Sequence, residues 1–273
     1  MTLALAVVAG VLIGLSLGAL GGGGSILAVP VLVYLLDQSP AQATTGSLVV
    51  VGVTSLIGAV AARRAGNVLL ARGATFGLVA IGGAVLGAKA SARVDEEVLL
   101  AAFAALMLLV GALMAGRLLR DRGTRPTHAA RPALDDPILT FSPTFACACP
   151  RALKVLVTAT LVGLLTGFLG VGGGFLVVPA LLVALALPLP YAAGTSLVVI
   201  TITSAAALVT RAGVGSAPDW GVVVVLTLAS ALAAVVGTRL ADRVDTRRLA
   251  VAFTVLVLAV AAYTATRALP ALL

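Results

Sequence analysis

The residues best placed to do chemistry in this chain are glycines and hydroxyls, and both occur as doubled clusters. Gly21, Gly22, Gly23, Gly24 and Ser25 form one glycine cluster; Gly170, Gly172, Gly173 and Gly174 form the other. Four consecutive glycines cost about 1 kcal/mol each relative to alanine in a helix. In exchange they allow positive φ and let a ligand reach the main chain. A helix that restarts after such a break, at Ser25 or Gly174, presents free N–H groups and the positive end of its dipole, which suits an anion. The hydroxyl clusters are Thr44, Thr45, Gly46 and Ser47, and Ala193, Gly194, Thr195 and Ser196. Each follows a proline-containing turn at Pro40, or at Pro188 and Pro190. These hydroxyls have two readings: they cap the helix that starts there, or they donate to substrate oxygens.

The two copies of each cluster stand at a fixed offset of 149. Gly18, Leu20, Gly21, Gly23, Gly24, Leu27, Val29, Pro30 and Leu32 match Gly167, Leu169, Gly170, Gly172, Gly173, Leu176, Val178, Pro179 and Leu181. Residues 43–60 align with 192–209 at the same offset, and 87–95 with 237–245 at 150. One unit has been duplicated. A repeated helix breaker at corresponding points of two apolar halves points to a central binding site.

Composition says where these elements sit. The chain of 273 residues is 61% hydrophobic and 10% charged, against roughly 25% charged in soluble domains. Mean hydropathy is +1.19. No charge occurs in residues 1–36 or 155–210, and about 20 apolar residues cross a bilayer. The expected fold is an all-α integral membrane protein. The apolar start lacks the basic n-region and the small-residue cleavage site of a signal peptide. Within a bilayer an unpaired backbone group costs several kcal/mol, so the glycine breaks must be buried in protein or line a wet cavity.

Five apolar segments are expected in each half: Thr2–Leu20, Ser25–Leu36, Ala43–Ala62, Gly73–Ala88 and Val98–Gly116, then Val155–Leu169, Phe175–Leu189, Ala192–Thr210, Trp220–Thr238 and Leu249–Thr266. Three parts follow: a first transmembrane repeat (1–116), a cytoplasmic linker loop (117–154) and a second repeat (155–273). Alternating the loops between two faces puts fourteen of the eighteen basic residues on one face: Arg63, Arg64, Arg72, the seven from Arg117 to Lys154, and Arg239, Arg243, Arg247 and Arg248. That face is assigned to the cytoplasm and both termini to the outside. Equivalent loops exchange their charge between halves: the basic loop follows the third segment in one unit and the fourth in the other. Two inverted five-segment repeats are therefore expected, with broken or short half-helices at the glycine motifs. The net charge of +8 reflects this orientation and not a nucleic-acid partner.

Gly10, Gly14 and Gly18, like Gly163 and Gly167, recur every fourth residue, as helix-packing stripes do. Thr54/Thr203 and Ser55/Ser204 lie further along the third segments; such residues either bond their own helix or contact substrate. Arg93–Asp95 and Arg243–Asp245 are symmetric and interfacial, as snorkelling anchors or gate salt bridges. No Asp, Glu, Lys, Arg or His lies deep in an apolar segment, and a proton relay usually needs one, so no coupling residue is expected. There is no nucleophile–base pairing, P-loop or metal constellation, so neither an enzyme nor a cofactor is expected. Cys147 and Cys149 read as incidental thiols, with a redox or metal-relay role as the alternative.

At these residues the chain resembles the TauE/SafE sulfite exporter family, also called the toluene sulfonate uptake permease family. The resemblance rests on the doubled glycine phrase ending in Val-Pro, followed by the Gly46-Ser47-Leu48 and Thr195-Ser196-Leu197 helix starts, and covers nearly the whole chain. It implies a secondary carrier of the cell membrane, without a nucleotide-driven motor. The cargo it implies is a small sulfur oxyanion or organosulfonate such as sulfite, with export the favoured direction. The partners expected are that anion and the bilayer, with a homo-oligomer open. Rival readings are an anion channel using the same site, an uptake permease for another sulfur or carboxylate anion, and an intramembrane enzyme or assembly factor.

Overall fold

The computed structural model describes residues 2–120 apart from 92 and 95, and residues 149–272 apart from 170–173, 186, 212–217, 242, 243 and 245. All regular structure among the described residues is helical. The linker residues 121–148, with Cys147, lie outside them.

The first half holds α1 (Thr2–Leu20), α2 (Ser25–Pro30), α3 (Pro40–Arg64), α4 (Leu70–Ser91) and α5 (Glu96–Arg120). The second holds α6 (Cys149–Leu169), α7 (Gly174–Ala184), α8 (Leu189–Arg211), α9 (Trp220–Ala241) and α10 (Thr246–Leu272). Five of these are long and apolar enough to cross a membrane: Leu3–Leu20, Pro40–Arg64, Leu70–Ser91, Pro190–Arg211 and Trp220–Ala241. Shorter apolar stretches lie at Gly22–Leu35, Ala105–Gly116, Leu153–Leu169 and Thr254–Tyr263.

Local sequence explains the helix ends. α1 stops at Gly21, whose φ of 70° and ψ of −115° suit only glycine. The chain then makes one tight turn over Gly22–Gly24 before α2. Pro30 lacks an N–H and cannot continue the i→i−4 ladder, and the helix widens into a π turn over Val31–Leu35. Ser39 caps α3 in a capping box with Gln42, with Pro40 at the first position. Hence Thr44, Thr45 and Ser47 fall inside α3, not at its cap. Gly66 (φ 78°) closes α3, with Gly66 N–H donating to Arg63 C=O at 3.0 Å and Asn67 N–H to Ala62 C=O at 3.1 Å. The seventh segment ends earlier than expected, at Ala184. Pro190 sits in the first turn of α8, where its missing N–H is tolerated, and Ala192 N–H already bonds Pro188 C=O at 2.9 Å.

α1 is apolar nearly all round, and one face of it is turned inward. Ala6, Ala9, Ile13 and Leu17 are buried while Leu3, Val8 and Leu12 are more than half exposed. Gly10, Gly14 and Gly18 face α9, where a Cβ on Gly14 would run into the backbone of Ser230 and one on Gly18 into that of Ala234. α9 reciprocates with Gly237 against Leu15 and Ala19. Leu228, Leu232, Val236 and Leu240 form its outward stripe. The counterpart pair repeats this detail: Gly163 and Gly167 of α6 rest on Ala80 and Ala84 of α4, and Gly87 of α4 on Leu164 and Phe168 of α6. Close backbone approach through small residues is how helices associate where lipid is as apolar as the side chains. These glycines are packing stripes, as their spacing suggests.

The halves dock by exchange. α1 packs on α9 as α6 packs on α4; α3 packs on α9 as α8 packs on α4; α3 meets α8 and α5 meets α10. Contact registers give the directions. Gly46 of α3 meets Val223 of α9, and Thr54 meets Ser230, so residue numbers rise together. Gly73 and Gly77 of α4 meet Thr195 and Ile202 of α8, again rising together. Between α3 and α8 they run oppositely: Gly52 meets Ser204, and Gly58 meets Leu197.

Candidate anion site at the glycine breaks

The first glycine break touches the start of α7. A Cβ on Gly22 would enter the backbone of Gly174, and one on Gly174 would lie 2.6 Å from Ser25 Oγ and 2.8 Å from Gly22 O. Gly21 turns toward the start of α8. A Cβ there would be 2.6 Å from Ala193 Cα and 2.8 Å from Ser196 Oγ. Gly22, Gly23, Gly24 and Ser25 are all buried, and Gly24 packs on α1 at Ile13 and Leu17. The break of the first half thus lies between the start of α7 and the start of α8. Gly22 and Gly174 bring main chain against main chain, with the Ser25 and Ser196 hydroxyls at the edge of the contact. Gly170, Gly172 and Gly173 lie outside the described residues.

The hydroxyls are arranged unequally. Ser25 Oγ donates to Gly22 O at 2.7 Å, and Ser196 Oγ to Ala193 O at 2.7 Å. Both therefore stand at the crossing while bonded to their own turn. Ser47 Oγ donates to Thr44 O at 2.9 Å and is buried, whereas half-buried Thr45 reaches Ala41 O at 3.2 Å. Thr195 bonds outside its own helix, where its Oγ1 accepts the N–H of Leu69 at 3.1 Å, just before α4. Gly194 packs under Asn67 of the same turn, and Gly46 packs against Val223 and Leu32. Of the paired clusters, Ser196 meets a glycine break directly, while Thr195 and Gly194 bind the α3–α4 turn.

Some polar groups at this level stand out only in the fold. Gln38 is 8% exposed, and neither amide atom has a hydrogen-bond partner. Its Oε1 would lie 3.7 Å from a Cβ on Gly46. Its counterpart is Leu187, which is 3% exposed, and both backbones make the same bond, Gln38 N–H to Leu32 O and Leu187 N–H to Leu181 O. The signal for Gln38 in the sequence is a breach of the repeat, an amide opposite a leucine. Ser55 and Ser204 are likewise buried without a partner. Arg211, at the end of α8, donates through Nη2 to Ser91 Oγ at 2.8 Å at the end of α4. Arg93 is exposed; Asp95, Arg243 and Asp245 lie outside the described residues. Among the described residues no cluster of His, Cys, Asp or Glu could hold a metal ion.

Membrane-length helices interlocked by exchange, with the break between α1 and α2 meeting the start of α7, define a polytopic membrane protein of transporter type. The family model for the sulfite exporter TauE/SafE matches residues 6–264, and the chain belongs to that family. Two curated proteins of Xylella fastidiosa, each named "Probable membrane transporter protein", are similar over 192 residues, 70% of this chain and 67% of theirs. They are 37% identical in strain 9a5c and 38% in strain Temecula1 / ATCC 700964. No solved structure matches the chain.

Proposed function

We propose that this protein is a secondary transporter that exports small anions, sulfite or organosulfonates, across the cell membrane, and that it has no enzymatic activity. The observation that carries this reading is the meeting of the two glycine breaks at Gly22 and Gly174, with Ser25 and Ser196 at the contact. Main-chain N–H groups and hydroxyls can replace water around an oxyanion without a buried cation, which would be costly at that depth. The site comprises Gly21–Ser25 and Gly170–Gly174, with Thr45–Ser47 and Gly194–Ser196 supporting it from the third helices.

The parallel runs of α3 with α9 and α4 with α8, and the opposite runs of α3 and α8, support an inverted relation between the repeats 1–116 and 155–273. In that arrangement rocking one unit against the other opens the site to each side in turn. The charge bias supports termini outside and the 117–154 segment, from the end of α5 to the start of α6, in the cytoplasm.

Proteoliposomes test the reading. Sulfite and organosulfonate flux is expected from the native protein and lost in Gly23→Leu combined with Gly172→Leu; unaltered flux in that variant removes the site. Trans-stimulated exchange is expected of a carrier, and its absence would favour a channel.

A further inference from the structure

Helical hydroxyls in this chain are mostly used by their own helix. Thr44, Ser47, Thr166, Ser196, Thr203 and Thr238 donate to a carbonyl three or four residues back at 2.5–3.0 Å. Ser55 and Ser204 do not. Each is buried, at 0% and 1% exposure, and neither Oγ has a hydrogen-bond partner. Nor is a carbonyl lacking, since a serine within a helix has the i−3 and i−4 carbonyls in reach. An unsatisfied buried hydroxyl is disfavoured by about 1–3 kcal/mol, and the two sit at the same position of both halves, 149 apart. Chance would not put the same exception in both.

Their place in the fold is defined by their neighbours. Ser204 Cβ would lie 3.3 Å from a Cβ on Gly52, and Leu197 at the same distance from one on Gly58. Ser55 is three residues from each of these glycines, on the same side of α3, and so faces α8. Gly52 and Ser204 differ by 152 in number, as do Gly22 and Gly174 where the breaks touch. Both contacts thus lie within a few residues of the point where an element meets its own counterpart. The serines and the crossing of the breaks share one exchange axis.

We propose that Ser55 and Ser204 form a paired hydroxyl station on this axis, donating to the oxygens of the transported oxyanion. The proposal rests on the anion-transport reading and deepens it. Two neutral donors give charge-assisted bonds to an anion yet hold it without a fixed cation, which favours release as well as entry. Residues on the axis keep equivalent surroundings when the halves exchange conformation, so the station serves both the inward-open and the outward-open state.

The test is transport kinetics in proteoliposomes with sulfite, thiosulfate and sulfoacetate as probes, alongside thermal unfolding of the purified protein. Ser55→Ala and Ser204→Ala are each expected to raise KM about tenfold, and the double variant by more than either, as for the loss of a hydrogen bond to a charged group. Unfolding temperatures should stay level or rise, because alanine removes an unpaired hydroxyl. Thr203→Val, which deletes a hydroxyl bonded to its own helix, should leave KM unchanged. The proposal is overturned if the double variant keeps the native KM, or if either alanine variant loses flux only through loss of folded protein. Absence of flux in the native protein for every probe would instead overturn the transport reading, and the station with it.

Discussion

The two halves differ most where the second helix meets the third. In the first half a π turn leads to Gln38, Ser39 and a capped α3; in the second, α7 ends at Ala184 and Leu187 occupies the position of Gln38. Backbone bonding is the same in both, Gln38 N–H to Leu32 O and Leu187 N–H to Leu181 O. The side chains are not: one is an unsatisfied amide, the other a buried leucine. The same holds at Gly46 and Thr195, where only the threonine hydroxyl holds a neighbouring turn, and at Ala62 and Arg211, where only the arginine ties two helix ends together. Duplication has kept the path of the chain and let its chemistry diverge. Corresponding positions share backbone bonding but not side-chain chemistry.

The comparison breaks most sharply at the stripes. Gly14→Leu and Gly163→Leu each drive a side chain into the facing backbone, at Ser230 and Ala80 respectively. Overpacking against main chain that cannot shift should cost about 3 kcal/mol or more. Both should abolish recovery of monodisperse protein in detergent, to the same degree; a tolerated Gly163→Leu would break the equivalence. Gly21→Ala comes next, because a Cβ there both meets Ala193 and holds a positive φ, worth about 1–2 kcal/mol in backbone strain alone. Partial folding with transport lost is the expected result in a flux assay on folded protein.

A smaller effect separates the halves at their junctions. Gln38→Leu should raise stability by about 1 kcal/mol, since it removes an unpaired buried amide. Leu187→Gln should lower it by about 2 kcal/mol. Opposite shifts in unfolding temperature would sharpen the asymmetry, and equal ones would erase it. Smallest is Thr195→Val, which strips the acceptor from Leu69 N–H and should cost about 1 kcal/mol. Hydrogen exchange at the start of α4 should speed up there, with the rest of the molecule unchanged.

Much of the fold is legible from local pattern. The first apolar segment matches α1 at both ends because uninterrupted apolar residues stop at a glycine that no other residue could replace. The segments around α3, α4 and α9 agree with the helices within a few residues because charges and turn residues mark their limits. The early end of α7 is not legible, since apolar residues run on to Leu189 and only the pairing of backbone groups around Pro188 and Pro190 shows where the helix stops. Within the site, the glycine clusters are visible because four glycines in a row contradict helix propensity. The state of Gln38, Ser55 and Ser204 is not, because a lone polar residue in an apolar stretch takes its meaning from what does or does not face it.

The sequence by itself determined that the chain is a membrane-embedded helical bundle with a glycine cluster in each half, because hydrophobicity, glycine propensity and charge at helix ends are properties of local chain. Only the tertiary structure decided which helices the packing glycines meet, that Gly22 meets Gly174, and which hydroxyls are satisfied. Those outcomes depend on distances between residues far apart in the chain. Close packing makes such distances matter at the scale of a single methyl group.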